Sequence, residues 1–277
     1  MLKTLLPYVA SFAVASIGMI GMRLTAGPER GQRLAGLFVG VAIIAALFAV
    51  PGFAWTAAGP LNRIGHIIIG AVLVGASLDL VKPSNLWRWV VLGLFVLGCG
   101  WASAVNTLIP KITPSLGQLG LALALAVIWL GIILRFTMPQ AHKPTKLVVL
   151  IAAVAGIAVL ASIAGDVALV TIALSIMAAV FAFVVCAIVL NIELNDSATL
   201  PIASSLVAMA WALSQRHPEA LLGLGILTLV LFAERTARRV PMPQGGIAAY
   251  LYLCVLAGFC GIPILIAAVL VSAAVPA

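Results

Sequence analysis

Two carboxylates stand where this chain's side chains could do chemistry. Asp79 closes the stretch Gly75-Ala-Ser-Leu-Asp-Leu-Val-Lys82-Pro83, and Asp196 opens Leu194-Asn-Asp-Ser-Ala-Thr-Leu-Pro201. At the C-terminal end of a helix a carboxylate faces the negative end of the macrodipole, at a cost of about 0.3–1 kcal/mol. Asp79 therefore calls for a cation. Lys82, three residues on, would supply one as a local ion pair; a metal ion or a cationic substrate would do the same. Asp196 needs no function at all, because Asp and Ser side chains satisfy the free N–H groups of a helix's first turn. The same N–H groups and dipole also form an anion site, and a carboxylate beside a bound phosphate is a natural seat for a divalent ion. Asn195, Asp196 and Ser197 thus stand open between capping and phosphate binding. Asp166, in Ala164-Gly-Asp-Val167, fits a second cap; His66 fits a hydrogen-bonded helix histidine and His142 a solvated loop residue.

The elements that carry these residues follow from composition. Apolar residues make up 64% of the 277 and charged residues 8%, whereas a soluble domain carries about 25% charged residues to face water. This excludes soluble enzymes, nucleic-acid binders and disordered tails, and it makes the chain a polytopic membrane protein. A spanning helix takes about 20 apolar residues. Gaps marked by charges, Pro and Gly place about ten spans near 2–22, 34–53, 62–81, 86–108, 117–136, 146–164, 167–190, 198–215, 219–233 and 246–274, in a single transmembrane domain over 1–277. Pro263 predicts a kink in the last. The Cys residues at 99, 186, 254 and 260 all lie in apolar runs without a CxxC pair, so buried, inert thiols are expected.

The net charge of +8 reports orientation rather than nucleic-acid affinity. Arg23, Arg30, Arg33, Lys82, Arg88, Arg135, Lys143, Lys146, Arg235, Arg238 and Arg239 fall in loops on one side, against Lys3, Arg63, Lys111 and Arg216 on the other. The positive-inside rule makes the first side cytoplasmic and sets both termini on the outer side. Five of the seven acidic residues (Glu29, Asp79, Glu193, Asp196, Glu234) share the cytoplasmic side, where they are open to either a site or chance. No HExxH, P-loop, GxSxG or dinucleotide fingerprint occurs.

The order of the pieces resembles the polyprenyl-phosphate N-acetylhexosamine-1-phosphate transferases, the family of phospho-N-acetylmuramoyl-pentapeptide transferase and the UDP-GlcNAc:undecaprenyl-phosphate transferases. Pro28-Glu-Arg-Gly-Gln-Arg-Leu-Ala-Gly36 is similar to that family's Pro-x-Arg-Gly-Gly loop. Gly70 to Leu80 followed by Lys82-Pro-Ser is similar to its third span, which ends in Asp-Asp-Leu. Ile192 to Leu200 is similar to its Gly-Asp-Ser-Gly-Ser segment, and Arg235 to Arg239 to the basic end of its ninth span. The resemblance implies ten spans, both termini outside, a cytoplasmic site and a multi-pass protein of the bacterial inner membrane. It also implies UDP-sugar and polyprenyl phosphate as substrates, with catalysis by Asp79 and Asp196. Asp196 would hold Mg²⁺, and Asn195, Ser197, Lys82 and Arg33 would bind substrate. The same resemblance implies a homodimer, and a heterodimer with an active relative is an equally open expectation.

The departures are equally specific. The first of the family's paired Asp residues is Leu78 here. The loop Arg135-Phe-Thr-Met-Pro-Gln-Ala-His-Lys-Pro-Thr-Lys146 has no carboxylate where the family carries Asp-Gly-x-Asp-Gly, and Pro241-Met-Pro-Gln-Gly-Gly246 has no histidine where the family is His-rich. Phosphoryl transfer depends on charge placed around the phosphates. The expectations are therefore a transferase with a reduced Mg²⁺ site or a catalytically depleted lipid- or partner-binding subunit of envelope-glycan synthesis. A secondary transporter using Asp79, Arg63 and His66 is the alternative from another class, although no internal repeat supports it.

Overall fold

Away from water an apolar run satisfies its backbone polar groups only by hydrogen bonds within itself. In the computed structural model, which describes residues 2–27, 31, 34–50, 53, 59–104, 116–137, 143–190, 192, 194–237, 239 and 248–274, every regular element is accordingly a helix. These are α1 (Leu2–Thr25), α2 (Leu37–Ala49), α3 (Pro60–Val81), α4 (Asn85–Ala104), α5 (Leu116–Thr137), α6 (Lys143–Ile163), α7 (Val167–Leu190), α8 (Asp196–Arg216), α9 (Pro218–Ala237) and α10 (Ala248–Ala274). Among the described residues nine segments are long and apolar enough to cross a membrane, and α2 is the shorter apolar helix beside them. The expected all-α, polytopic architecture of about ten helices is the architecture observed.

Two elements differ from the sequence reading. Spacing extends the second span to residue 53, but α2 stops at Ala49 because Val50 turns to an extended conformation ahead of Pro51, whose ring disfavours helix in the residue before it. α9 is composite: 3-10 turns at Pro218–Ala220 and Thr228–Phe232 alternate with α-helix at Leu221–Leu227 and Ala233–Ala237. Pro263 lies inside α10, which is helical on both sides of it.

The helices alternate in direction. One end of the bundle gathers the last turns of α3 and α5 and the first turns of α4, α6 and α8 around a common pocket. At the opposite end Arg63, in the first turn of α3, donates to the Ala102 carbonyl in the last turn of α4 (2.9 Å). There too the start of α7 meets the end of α8 through Asp166 and Arg216 (2.8 Å). The late part of α10 (Ala267, Val271) lies against Gly223 near the start of α9, and the late part of α1 meets the start of α2 through Gly18 and Phe38. The first turn of α1 and the last turn of α10 therefore share the end away from the pocket. Arg23, Lys82, Arg88, Arg135, Lys146, Arg235 and Arg239 lie at the pocket end, hereafter the basic end.

At the centre runs α8, the most deeply buried of these long segments and one of the least apolar in sequence. Its small polar residues explain both facts. Ser197, Thr199, Ser204 and Ser205 are buried, and small side chains let neighbouring helices approach closely. The Thr199 and Ser205 hydroxyls return to the helix's own carbonyls (Thr199 Oγ1 to Asn195 O, 2.9 Å; Ser205 Oγ to Ile202 O, 2.8 Å). The most extensive contact in the bundle is α3 on α8. A Cβ on Gly75 would sit 2.8 Å from the Asp196 carbonyl oxygen and 2.9 Å from Ser197 Cα, so only glycine permits this approach. The greasiest surfaces face outward: Ile17, Leu73, Leu94, Val127, Leu222 and Leu265 are all exposed, as lipid-facing side chains are.

Candidate functional site

Asp79 and Asp196, 117 positions apart in the chain, meet at the basic end in a cavity of about 440 Å³. It is lined also by Lys82, Asn85, Arg88, Lys146 and Asn195, together with Leu78, Pro83, Phe136, Leu194 and Thr199. Three cationic side chains against two carboxylates leave the lining with one excess positive charge. The structure thus brings together Asp79, Lys82, Asn195 and Asp196 at one cavity, with Ser197 immediately behind them. Arg33, Glu29, Glu193 and His142 lie outside the described residues.

The roles of the two carboxylates are exchanged relative to the sequence reading. Asp79 does not pair with Lys82. Its Oδ2 accepts the Ser197 N–H at 2.8 Å, and the Ser197 side chain and the Asp196 N–H also hydrogen-bond to it. The last turn of α3 therefore caps the first turn of α8. The favourable dipole of α8's N-terminus compensates Asp79 for its place at α3's C-terminus. Asn195 precedes α8 in an extended conformation without a side-chain cap of its own. Asp196, expected as the cap, is the first helical residue, and its Oδ1 accepts from Arg88 Nη2 at 2.8 Å. Ser197 is fully buried and belongs to the cap.

Arg88 and Lys146 are the site residues that sequence reasoning passed over. Both belong to the cations of the basic side, and that shared side is the one signal the sequence holds for them. Arg88 reaches the cavity from the first turn of α4; its Nε is buried and has no hydrogen-bond partner among the described residues. Lys146 Nζ donates to the Phe136 carbonyl at the end of α5 (2.8 Å). Lys82 terminates α3 in the left-handed conformation (φ 47°, ψ 58°), exposed and free of ion pairs among the described residues. Beside the cavity, Leu86, Trp87 and Trp89 on α4 are exposed, the pattern of an aromatic belt at headgroup level.

Behind this wall, Arg135 Nη2 pairs with buried Glu234 at 2.7 Å, and Arg135 Nε donates to the Leu231 carbonyl at 3.2 Å within the second 3-10 turn of α9. At the far end Asp166 caps α7, as expected, by accepting the Leu169 N–H (3.1 Å). It also binds Arg216, and His217 stands between it and Glu219. His66 hydrogen-bonds within α3, at Asn62 O. Cys99, Cys186 and Cys260 are buried; Cys254, contrary to expectation, is exposed on α10.

Magnesium fits these side chains poorly. It takes oxygen ligands in near-ideal octahedral geometry, whereas one Asp79 oxygen is committed to α8 and Asp196 to a guanidinium. Among the described residues no group of three His, Cys, Asp or Glu gathers to hold a metal. What the cavity can do is attract an anion. Neither any protein-family model nor any curated protein matches the chain.

Proposed function

We propose that this protein is a catalytically depleted relative of the polyprenyl-phosphate sugar-1-phosphate transferases, which binds a polyprenyl phosphate at the cytoplasmic face of a bacterial inner membrane and serves lipid-linked envelope-glycan synthesis as a lipid- or partner-binding subunit. The observation that supports this reading is the cavity: Lys82, Arg88 and Lys146 line it, while Asp79 and Asp196 are both engaged by protein groups. Lys and Arg are the side chains that hold phosphate oxygens. The exposed Trp87 and Trp89 fit an opening at the level of a lipid headgroup. A transporter path finds less support, since Arg63 lies sixteen residues before Asp79 on the same helix, about 24 Å away at 1.5 Å per residue.

The test uses purified protein in detergent. Undecaprenyl phosphate and the neutral alcohol undecaprenol share a tail and differ in the headgroup, so native mass spectrometry of both isolates the phosphate contribution. Binding at least about tenfold tighter for the phosphate, a gap of about 1.4 kcal/mol, is expected. Equal binding would refute the reading. A transfer assay with labelled UDP-N-acetylhexosamines should yield no lipid-linked product; product that disappears in Asp196→Asn would instead establish a working transferase with a reduced metal site.

A further inference from the structure

We infer that the cavity at the basic end captures a phosphate monoester without a divalent cation, with the Arg88 guanidinium occupying the electrostatic position between Asp196 and the anion that a metal would otherwise fill. This rests on the phosphate-binding reading above and specifies how that site works.

The first ground is the commitment of the carboxylates. Asp79 Oδ2 holds the Ser197 N–H at 2.8 Å, so releasing it to a metal would uncap α8. Asp196 Oδ1 holds Arg88 Nη2 at 2.8 Å. A dication approaching Asp196 would have to displace a guanidinium that is already charge-paired and partly desolvated, with side-chain exposures of 33% for Arg88 and 13% for Asp196.

The second ground is spare donor capacity. A guanidinium has five N–H donors in a planar fork and no acceptor. Among the described residues Asp196 takes one and the Nε donor is buried, which leaves three N–H groups on the Nη nitrogens of a side chain that is 33% exposed and lines the cavity. A guanidinium fixed through one Nη with further Nη donors at the cavity is prepared for a second oxyanion, and planar, multidentate pairing with phosphate is the geometry at which Arg surpasses Lys.

The third ground is sign. Lys82 and Lys146 face the same cavity, so the local field with Arg88 in place favours an incoming anion and opposes an incoming cation. Asp196 then works as an orienting partner: it fixes the guanidinium and at the same time weakens the field felt by the anion. That second effect gives the two arrangements opposite mutational signs.

The deciding experiment measures undecaprenyl phosphate binding to the full-length protein by native mass spectrometry, once with EDTA and once with Mg²⁺, for the unaltered chain and for Asp196→Asn. The expectation is affinity equal within about twofold in the two buffers, and Asp196→Asn binding as tightly or more tightly, because it removes a negative charge from the site. Arg88→Ala should weaken binding about tenfold or more, with Arg88→Lys in between. Affinity that appears only with Mg²⁺ and falls in Asp196→Asn would overturn the inference while leaving phosphate binding intact. No preference for the phosphate over undecaprenol in either buffer would remove the phosphate-binding reading itself. Inorganic phosphate as competitor separates the sources: failure to displace the lipid supports a lipid headgroup site, and displacement at matching affinity would overturn the assignment to a lipid.

Discussion

The Asp79 carboxylate and the Ser197 backbone N–H meet at 2.8 Å across 118 residues of sequence. The contact makes one acidic side chain serve two helices, ending α3 and beginning α8. It also withdraws that side chain from the chemistry its position otherwise implies. An N-cap contributes about 0.5–2 kcal/mol. Asp79→Ala should therefore destabilise the protein by about 1–2 kcal/mol in detergent unfolding, and Asp79→Asn by less, because an amide oxygen still accepts. Equal losses for the two would show that charge, rather than capping geometry, holds the α3–α8 junction.

Gly75 sets how close that junction is. The atoms that a Cβ would meet, Asp196 O and Ser197 Cα at 2.8 and 2.9 Å, are backbone and cannot rotate away. Gly75→Ala should cost about 1–3 kcal/mol through overpacking and should loosen the cap together with it. Gly93, mid-helix in α4, is the control, because a Cβ there would meet nothing within 4 Å. Alanine at that position removes the entropic penalty of glycine and should be neutral or stabilising by up to about 1 kcal/mol. Unfolding midpoints of the two variants measured side by side check the contrast.

The helical membrane architecture was legible in composition and spacing because both are local properties: about twenty apolar residues must become one helix. The cap of α7 by Asp166 was legible for the same reason, since the N–H it accepts lies three residues away. What was not legible is pairwise and distant. Nothing local distinguishes Asp196 as a cap from Asp196 as Arg88's partner, because that choice depends on Asp79 arriving from another helix. Counting charges puts Arg216 and Asp166 on the same side, but their pairing depends on α7 and α8 packing side by side. The short α2 is an intermediate case. Pro51-Gly52 stands in the sequence, and the restriction that proline places on its preceding residue fixes the boundary at Val50.

At the end away from the cavity, Asp166 combines three demands. Its side chain is 1% exposed, caps α7 and faces Arg216, with Oδ1 accepting the Arg216 Nη1 hydrogen bond at 3.1 Å and Oδ2 in charge contact at 2.8 Å. Asp166→Ala should cost about 1.5–3 kcal/mol, the range for hydrogen bonds to charged groups. Arg216 is more exposed, so Arg216→Gln should cost less than half as much. A denaturant series in one detergent reads both, and a larger loss from Arg216→Gln would contradict the capping role.

Glu234 is buried against Arg135, and Arg135 in turn holds the Leu231 carbonyl inside the 3-10 turn of α9. Removing the acid leaves a cation facing a low-dielectric wall beside Lys146. Glu234→Gln should therefore destabilise the basic end of α9, seen as faster backbone amide exchange over residues 228–237 than over α8. Unchanged exchange in α9 would show that the pair is dispensable to the 3-10 turn.

Lys82 separates stability from binding. It occupies the left-handed conformation at the end of α3, which disfavours a side chain by roughly 1–2 kcal/mol, and glycine is the residue that usually ends helices this way. A lysine kept there at such a cost points to a use for its charge, and the cavity supplies one. Lys82→Gly should raise the unfolding free energy by about 1 kcal/mol while weakening undecaprenyl phosphate binding about three- to tenfold, the range for the net loss of one typical hydrogen bond. The two readouts move in opposite directions only if Lys82 faces a bound anion. A variant that gains stability and binds the lipid as before would remove Lys82 from the site and leave the cavity's field to Arg88 and Lys146.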